Sequence, residues 1–333
     1  MVRALKDIVE DACSRVKLWP NDKVLDIGCN DGTLLSFYPS YVNTYGYEPA
    51  WNLWEIAKKK SRGCIYPTFF PPQITIHNKY KIITSIAQLY NVDDLNSYVG
   101  TMKKILTPDG IWIVQMQDLE GMLACNGVDN ICHEHVTYFS RTSMENMLSC
   151  HGLMIIDESH NSTNGSSVRF VIAHSNTVVP PHETPCGSLY KFKMCVEENK
   201  ISTMNLLHSL KLQGKSVIGL AASTKGNTLL QYYGIGPELI SAIADRNPDK
   251  IDKLTVGTHI PIISEKELFA LQPDYVFVLA WHFLDSFRER YKKLNTKWIV
   301  PIPELRVLEA ESCLSIPVKH SGRRLEDSIL EMS

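Results

Sequence analysis

The sequence has no pair of cysteines at Cys-x-x-Cys spacing, no apolar run long enough to cross a membrane and no excess of either charge. Its nine cysteines are odd in number and scattered over 333 residues, so neither a disulfide framework nor a thiolate zinc site is indicated. The longest nearly unbroken apolar stretch, Tyr275 to Leu284, is about half of what a bilayer span needs. With 34 basic against 36 acidic residues, the chain has no overall positive field. We therefore expect neither nucleic acid nor a membrane as a partner.

The overall composition is that of an ordinary globular protein. Hydrophobic residues make up 44% of the chain and charged residues 21%, which excludes disordered, collagen-like and coiled-coil proteins. At roughly 150 residues per domain, the length predicts about two domains. The opening residues, Met1 to Val16, place apolar and charged side chains at helical spacing and contain no apolar signal-peptide core. We therefore expect an amphipathic first helix and a cytoplasmic protein.

Strand-like and helix-like segments alternate along the first half of the chain. A β-like run, Lys23–Gly28, stops at a glycine turn and is followed, after a helix-length interval, by a run that ends at Glu48. This rhythm predicts an α/β fold with a parallel sheet. A helix is predicted at Ser143–His151. Further strands are predicted at Lys81–Ser85 and Ile111–Gln115, and antiparallel edge strands at Leu153–Asp157 and Ser167–Ala173.

The same alternation of predicted strands and helices resumes in the second half of the chain. Residues 174–187 have the Pro/Ser/Thr composition of a linker, and a long helical pattern, Leu189–Gln213, follows them. Strands are predicted beyond it at Ser216–Ala221, Ile240–Asp245, Pro261–Ile263, Tyr275–Ala280 and Trp298–Ile302. We therefore predict a Rossmann-like α/β domain over residues 1–180, a second Rossmann-like domain over 188–310 and a tail over 311–333.

The strongest local motif, LDIGCNDGT, spans Leu25–Thr33 at a predicted strand-to-helix turn. Gly28 and Gly32 let the backbone approach a ligand closely, and an acid about twenty residues further on, Glu48, is placed to accept hydrogen bonds from ribose hydroxyls. These features fit any cofactor that contains adenosine. The competing interpretation is a plain βα turn whose helix is capped by Asn30 or Asp31.

The motif also discriminates between cofactors. A dinucleotide site requires G-x-G-x-x-G, which is absent, so a pyrophosphate would meet side chains instead of bare backbone. Asp26 suits the cationic amino group of a methionine moiety and does not suit a phosphate. The pattern D-x-G-x-x-x-G resembles motif I of class I S-adenosylmethionine-dependent methyltransferases. A nicotinamide-dependent oxidoreductase therefore becomes the alternative function.

A second motif, DNICHEHVTYFS, spans Asp129–Ser140 after the fourth predicted strand. His133, Glu134, His135 and Tyr138 place several proton-transfer groups in one short loop. Metal binding is disfavoured because the H-E-x-x-H spacing and a second ligand cluster are both absent. Without further context, hydrogen-bonded structural histidines are an equally good interpretation.

A third motif, VIGLAASTKGNTLL, spans Val217–Leu230 in the second half. A predicted strand ends here in small residues, and a group the size of a phosphate would fit at the start of the next helix. The motif is not a Walker A loop, because Gly214-Lys215-Ser216 precedes the strand. A tight turn with a solvated lysine is the competing interpretation. The candidate contacts are Ser223, Thr224, Lys225 and Asn227.

Taken in order, these motifs resemble the sugar C-methyltransferase family, which methylates carbon 3 of nucleotide-linked 4-keto deoxysugars. The segments that carry the resemblance include LDIGCNDGTLL, CHEHVTYFS, NGSSVRFVIA and STKGNTLLQYYGI, and the likeness runs from about Ala4 to Pro303. The resemblance implies a class I methyltransferase domain followed by a second Rossmann-like domain. It also implies S-adenosylmethionine as cofactor and a nucleotide sugar held between the two domains.

Residue assignments follow from the resemblance by position. His135 is the implied general base, which removes the proton next to the keto group, and Glu134 is expected to orient or polarise its imidazole. The enolate oxygen that forms needs hydrogen-bond donors, for which His133, Tyr138 or Tyr90 are the candidates. The cofactor is expected to contact Asp26, Gly28, Asn30, Gly32, Glu48, Pro49, Ser85 and Ile86. The nucleotide sugar is expected to contact Arg169, Ser223, Thr224, Lys225, Asn227 and His259.

The sequence departs from the family at its start. Many members begin with a cysteine-rich zinc-binding domain, and we expect a member without that domain, which puts part of the acceptor site in doubt. Besides the oxidoreductase, two alternatives remain at this stage. One is a nucleotide-sugar-binding protein without catalytic activity, and the other is a methyltransferase that acts on oxygen or nitrogen.

Overall fold

The first half of the chain folds around a seven-stranded sheet. The computed structural model describes residues 2–72, 77–175 and 187–310. The strands of this unit are β1 Lys23–Ile27, β2 Asn43–Tyr47, β3 Cys64–Tyr66, β4 Tyr80–Ile86, β5 Leu106–Met116, β6 Leu153–Asn161 and β7 Ser167–His174. Its helices are α1 Val2–Arg15, α2 Trp51–Lys60, α3 Leu95–Ile105, α4 Leu119–Ala124 and α5 Arg141–Cys150.

The second half forms a six-stranded sheet of its own. Its strands are β8 Val217–Leu220, β9 Ile243–Asp245, β10 Ile262–Ser264, β11 Tyr275–Val278, β12 Lys297–Val300 and β13 Arg306–Leu308. Its helices are α6 Gly187–Leu212, α7 Thr224–Tyr233, α8 Glu265–Leu271 and α9 Leu284–Arg290. All neighbouring strands run parallel except β12 and β13.

The strand order explains where a ligand can bind. The first sheet has the order β3-β2-β1-β4-β5-β7-β6, and the second has β10-β9-β8-β11-β12-β13. In each sheet the chain first adds strands on one side of its first strand, β1 or β8. It then crosses over and adds the remaining strands on the other side of that strand. Ligands of open α/β sheets bind at the carboxyl ends of the strands next to such a crossover. The motifs after β1 and β8 therefore lie at the two favoured positions.

Helix α1 covers one face of the first sheet. Its buried residues Ile8, Val9 and Ala12 recur at helical spacing. They pack in one cluster with inward-facing strand residues, among them Ile82 and Ile113. The opposite face carries a larger cluster built around Trp112, Tyr98 and Phe170. The apolar stripe predicted for the first residues thus places α1 across the sheet.

The predicted fold class is confirmed, with corrections to single elements. β3 and β13 were not predicted, since each has only three residues. β7 is antiparallel to β5 and β6 but lies between them, so of the two predicted edge strands only β6 is at an edge. β5 begins at Leu106, five residues before the predicted strand Ile111–Gln115, and its register with β4 shifts between Tyr80 and Ile82. Helix α7, which follows the third motif's strand, begins at Thr224.

Two further predictions concern the domain boundaries and membrane spans. The predicted linker lies largely, and the predicted tail entirely, outside the described residues, so the domain boundaries stay predictions. No helix in the described ranges is long and apolar enough to cross a membrane.

Replacement of Trp112 by alanine should strongly destabilise the first unit. The indole is fully buried and donates a hydrogen bond of 3.1 Å to the Ser85 hydroxyl. We expect the free energy of unfolding, measured by urea titration, to fall by about 3–5 kcal/mol. Trp19, which is 56% exposed, provides the control, and its replacement by alanine should change the free energy by less than about 0.5 kcal/mol. Equal effects of the two replacements would contradict this assignment of the core.

Candidate active site

A cavity of about 540 Å³ opens at the carboxyl ends of β1, β4 and β5. Its volume falls within the roughly 300–1,000 Å³ typical of cofactor and small-molecule sites. Residues from both halves of the chain line it, because Lys225 reaches it from α7. The predicted site residues that line it are Asp26, Gly28, Asn30, Ile86, Tyr90, His135, Tyr138 and Lys225.

The two motif glycines serve different purposes. Gly28 has a positive φ of 70° and lines the cavity, and a Cβ there would lie 3.2 Å from Gln88. Gly32 also has a positive φ, 75°, but a Cβ there would lie 3.0 Å from the backbone of Ala57 in α2. Gly32 is therefore required for packing between the loop and α2, whereas Gly28 borders the space for a ligand.

Asp26 brings a buried carboxyl group to the cavity. Only 3% of the residue is exposed, and its Oδ1 accepts a hydrogen bond of 2.6 Å from the Thr84 hydroxyl. Burial raises the pKa of Asp26 to about 7, and the negative charge of Glu48 adds to this, while the Thr84 hydrogen bond acts in the opposite direction. A cation bound beside this group would stabilise its carboxylate form.

Glu48 directly follows β2, as predicted, and its carboxylate is held by the backbone. Its two carboxylate oxygens accept hydrogen bonds from the backbone amides of Asn30 and Ala50, each at 2.9 Å. Glu48 is 6% exposed and does not line the cavity, and the neighbouring Pro49 is exposed to solvent. The structure therefore shows Glu48 fixing the glycine-rich loop to the start of α2, and ribose contact by Glu48 or Pro49 stays a prediction.

The structure corrects the prediction that the Ser85 side chain contacts the cofactor. Its side chain is fully buried, pairs with the Tyr98 hydroxyl at 2.9 Å and accepts a hydrogen bond from the Trp112 indole. These partners lie in the core on the face of the sheet opposite α1. Because side chains alternate between the two faces of a strand, the next residue of β4, Ile86, faces the cavity instead.

The His135 imidazole lies between two aromatic rings at the cavity. Its ring centroid is 4.1 Å from that of Tyr90 and 6.5 Å from that of Tyr138. Burial lowers the pKa of His135, and a hydrogen bond with the backbone of Asn130 partly opposes this, while the positive charge of Lys225 lowers it further. His135 is therefore neutral at pH 7, with one ring nitrogen free to accept a proton.

The other predicted catalytic groups of this loop are placed elsewhere. Glu134 and His133 are exposed and do not line the cavity. The orientation of His135, predicted to depend on Glu134, depends instead on the carbonyl of Asn130, which also accepts a hydrogen bond of 3.3 Å from the Tyr138 hydroxyl. In an irregular loop, adjacent residues point in different directions, and the sequence does not tell which one faces inward.

The two tyrosines of the cavity keep their protons at neutral pH. Burial raises the pKa of Tyr90 to about 12, with smaller contributions from Cys132 and Glu134. Burial also raises the pKa of Tyr138. Both hydroxyls can therefore act as hydrogen-bond donors.

Lys225 reaches the cavity from the first turn of α7. Burial lowers its pKa, and the carboxylate of Asp129 acts in the opposite direction. Asp129 is fully buried, and its Oδ2 accepts a hydrogen bond of 3.0 Å from the Trp281 indole. This contact joins the His135 loop to the second unit, so the cavity is completed by both halves of the chain.

The other predicted contacts of the second unit do not line the cavity. Ser223 caps α7, since its side-chain oxygen accepts a hydrogen bond from the Gly226 amide at 3.0 Å. Thr224 is exposed, and the Asn227 Oδ1 is buried without a hydrogen-bond partner. His259 is exposed in a loop near α7 and β10. Their contact with a substrate stays a prediction.

The structure also corrects the prediction that Arg169 contacts the nucleotide sugar. Only 8% of its side chain is exposed, and its guanidinium donates to Gln115, Asp7 and Asp11 at 2.7–3.0 Å. It does not line the cavity. Its partners thus hold it between β5 and α1, and a contact between Arg169 and a nucleotide sugar is not supported by this geometry.

Several cavity residues were missed by the sequence analysis. Val2, Leu5 and Ile8 of α1 line the cavity, as does Gln115 at the end of β5. The amphipathic pattern of α1 predicted a helix but not what it covers. A polar residue at the carboxyl end of a predicted parallel strand was the available signal for Gln115. Among the residues that the structure describes, no group of three or more His, Cys, Asp or Glu side chains is arranged to hold a metal ion.

Two family models match the chain one after the other. A methyltransferase domain matches residues 3–158, and a C-methyltransferase C-terminal domain matches residues 162–303. A methyltransferase domain is thus followed directly by a C-methyltransferase C-terminal domain, and the chain is a methyltransferase. This methyltransferase is 27% identical to C-methyltransferase NovU of Streptomyces niveus, over 94% of this chain and 80% of that protein.

Similarity to solved structures covers about half of the methyltransferase. An S-adenosylmethionine-dependent methyltransferase from Clostridium acetobutylicum aligns with a TM-score of 0.44 and 12% identity, over 53% of this chain and 93% of that one. The plantazolicin methyltransferase BpumL, solved in complex with SAH, aligns with a TM-score of 0.41 and 11% identity, over 51% and 82%.

The cofactor of this methyltransferase is S-adenosylmethionine, and the cavity fits it. The buried carboxyl group of Asp26 can pair with an ammonium group, and Gly28 leaves room for close approach of the backbone. Ile86, Leu34 and Met116 give the cavity apolar walls.

Replacement of Asp26 by asparagine should weaken cofactor binding in a pH-dependent way. A charge-assisted hydrogen bond to the ammonium group contributes about 1.5–3 kcal/mol, so at pH 8 we expect the Kd for S-adenosylhomocysteine to rise about tenfold or more. Because the pKa of Asp26 in the free protein is about 7, wild-type affinity should fall as the pH decreases through 7, and the variant should lack this dependence. Isothermal titration calorimetry measures both effects.

Asp109→Asn is the matched control, because Asp109 pairs with Lys81 on the surface and its side chain is 75% exposed. It should bind S-adenosylhomocysteine as the wild type does. Wild-type affinity of Asp26→Asn at pH 8 would show that Asp26 does not hold the ammonium group.

Proposed function

We propose that this methyltransferase transfers a methyl group to the carbon next to the keto group of a nucleotide-linked deoxysugar. The observation that carries the proposal is the position of a neutral, half-buried His135 in the same cavity as Asp26 and Gly28. The names of the matched C-terminal domain and of the Streptomyces relative, both C-methyltransferases, support methylation on carbon.

A carbon acceptor must lose a proton before it can attack a methyl group. The proton next to a ketone is the accessible one, because the negative charge that forms moves to the carbonyl oxygen. A base for this step should be neutral at working pH, and burial with the nearby Lys225 charge keeps His135 neutral. The Asn130 carbonyl orients the imidazole, so that the other ring nitrogen can accept the proton.

Donors for the developing oxyanion are available around the cavity. The Tyr90 hydroxyl is protonated and its ring packs against His135. Lys225 brings a positive charge from the second unit. Donors fixed in place before the reaction stabilise such charge most effectively.

S-adenosylmethionine, when bound, supplies an electrophilic methyl group on its sulfonium. The chain's own contribution is to hold both reactants in one cavity, which converts an encounter of two molecules into a positioned reaction. Asp26 orients the ammonium group, and α1 keeps bulk water away from the reacting carbon.

The second unit is proposed to hold the nucleotide diphosphate. Lys225 lies in the first turn of α7, where free backbone amides favour an anion. Ser223, Thr224 and Asn227 adjoin it in sequence. Because Lys225 faces the cavity, a diphosphate near it would place the attached sugar toward His135.

Replacement of His135 by asparagine should abolish catalysis and leave cofactor binding intact. General bases contribute about 10²- to 10⁴-fold. We expect this loss in two assays with 4-keto deoxysugars linked to thymidine, uridine, guanosine or cytidine diphosphate. The first measures methyl transfer by mass spectrometry, and the second measures exchange of the proton next to the keto group in D₂O by NMR. The wild-type rate should fall only below the ordinary pKa of histidine, since the pKa of His135 is lowered.

His160→Asn is the matched control, because His160 is exposed and pairs with Glu158 at 2.9 Å on the surface. It should retain the wild-type rates. Proton exchange by His135→Asn at the wild-type rate would remove His135 from the mechanism, and the absence of wild-type turnover on every keto sugar would refute the proposed acceptor class.

A further inference from the structure

A row of polar side chains crosses the face of the first sheet that α1 covers. Gln115 and Arg169 lie directly opposite each other on the antiparallel strands β5 and β7, so their side chains share one face. The Arg169 Nε donates a hydrogen bond of 2.9 Å to the Gln115 Oε1. Both residues are buried, at 4% and 7% exposure.

Helix α1 fixes the Arg169 guanidinium from the other side. The Asp11 Oδ2 accepts a hydrogen bond from Nη1 at 3.0 Å, and the Asp7 Oδ2 accepts one from Nη2 at 2.7 Å. Three acceptors on two elements thus hold a planar group whose donors point in fixed directions. Arg169 has little freedom to turn away from Gln115.

This arrangement determines which end of the Gln115 amide is available. Arginine has only donors, so the Gln115 oxygen must face it. The amide nitrogen is left over, and within the described part of the chain it has no hydrogen-bond partner. Gln115 also lines the cavity. A buried N–H donor, with its orientation fixed, is therefore available to a ligand.

The position of Gln115 favours the acceptor over the cofactor. β5 is separated from β1, which carries Asp26, by β4, and two strand spacings amount to about 10 Å. Tyr90 and His135 line the same cavity from segments that follow β4 and β5 in the chain. The donor therefore lies at the β5 end of the cavity, two strands away from Asp26.

We propose that the Gln115 amide donates a hydrogen bond to the oxygen next to the methylated carbon, and that Arg169 is a positioning residue that keeps this donor facing the cavity. The inference rests on the proposed function. When the C–H bond breaks, its proton moves to His135 and the electron pair moves onto the carbonyl oxygen, which accepts the Gln115 hydrogen bond. When the carbon attacks the methyl group, the electron pair on oxygen re-forms the carbonyl and the enolate C=C pair forms the new C–C bond. The bond from the methyl group to the sulfonium sulfur breaks, and its electrons stay on the sulfur, which leaves as a neutral thioether.

Gln115→Met tests the donor, since methionine keeps the length of the side chain and removes the amide. One oxyanion donor contributes about 10²- to 10³-fold to kcat, and we expect this loss in proton exchange from the keto sugars in D₂O, without cofactor. KM should stay within about threefold, because the hydrogen bond strengthens only as charge develops. Gln115→Glu, whose carboxylate would present an acceptor to the cavity, should lose at least as much.

Binding of S-adenosylhomocysteine, measured by calorimetry, shows whether these variants are folded and whether the donor serves the cofactor. We expect the wild-type Kd in both. A Kd at least about tenfold higher, in a variant with an unchanged circular dichroism spectrum, would assign the amide to the cofactor and overturn the proposal. Proton exchange by Gln115→Met at the wild-type rate would also overturn it.

A double-mutant cycle separates positioning by Arg169 from a merely structural contribution. If Arg169 acts through Gln115, Arg169→Met should reduce kcat for exchange, and the double variant should be no slower than Gln115→Met alone. Additive losses would overturn the positioning assignment. Arg141→Met is the matched control, because Arg141 pairs with Glu145 and Glu158 on the surface, and it should exchange protons at the wild-type rate.

The outcomes distinguish this inference from the proposed function. If the wild type exchanges the proton of a keto sugar and Gln115→Met does so at the same rate, only the inference is overturned. No exchange by the wild type on any of the keto sugars refutes the acceptor class, and the inference falls with it.

Discussion

The hydrogen bond from the Trp281 indole to the buried carboxylate of Asp129 is the contact on which the site depends. It joins the loop that carries His135 to the second unit, and the charge of Lys225 lies close enough to act on both Asp129 and His135. The same indole packs against Gly165 in the turn between β6 and β7, where a Cβ would lie 2.5 Å from the ring. One side chain therefore positions two segments that border the cavity.

Helix α1 completes the cavity through a different kind of contact. Its apolar residues cover the sheet, and its acidic residues Asp7 and Asp11 hold Arg169 beneath it. Only the arginine of these ion pairs is buried, since the side chains of Asp7 and Asp11 are 67% and 21% exposed. In this protein the pairing fixes the direction of an amide at the end of β5, so a structural contact on one side of Arg169 has a chemical consequence on the other.

The fold was predictable from sequence because strand and helix periodicity is local. The glycine turn after β1, the acid after β2 and the return of the same rhythm after α6 all follow from residues close together in the chain. Side-chain direction was less predictable. Ser85 and Ile86 are adjacent, yet one faces the core and the other the cavity, and the phase of the strand decides which.

The catalytic loop shows a further limit. Glu134 and His135 are neighbours in an irregular segment, so periodicity gives no direction for either, yet Glu134 is exposed and His135 lines the cavity. The same holds for Arg169, whose partners Asp7 and Asp11 lie about 160 positions earlier in the chain, as the separations of 162 and 158 show. Pairings of that separation arise only once the sheet and α1 have assembled.

The central claim is that carbon, and not oxygen or nitrogen, receives the methyl group. The most direct measurement is NMR of the product formed from a nucleotide-linked 4-keto deoxysugar and S-adenosylmethionine labelled with ¹³C in its methyl group. The account predicts a labelled methyl that couples to an adjacent sugar carbon next to the keto group. A labelled methyl bonded to oxygen or nitrogen would contradict it.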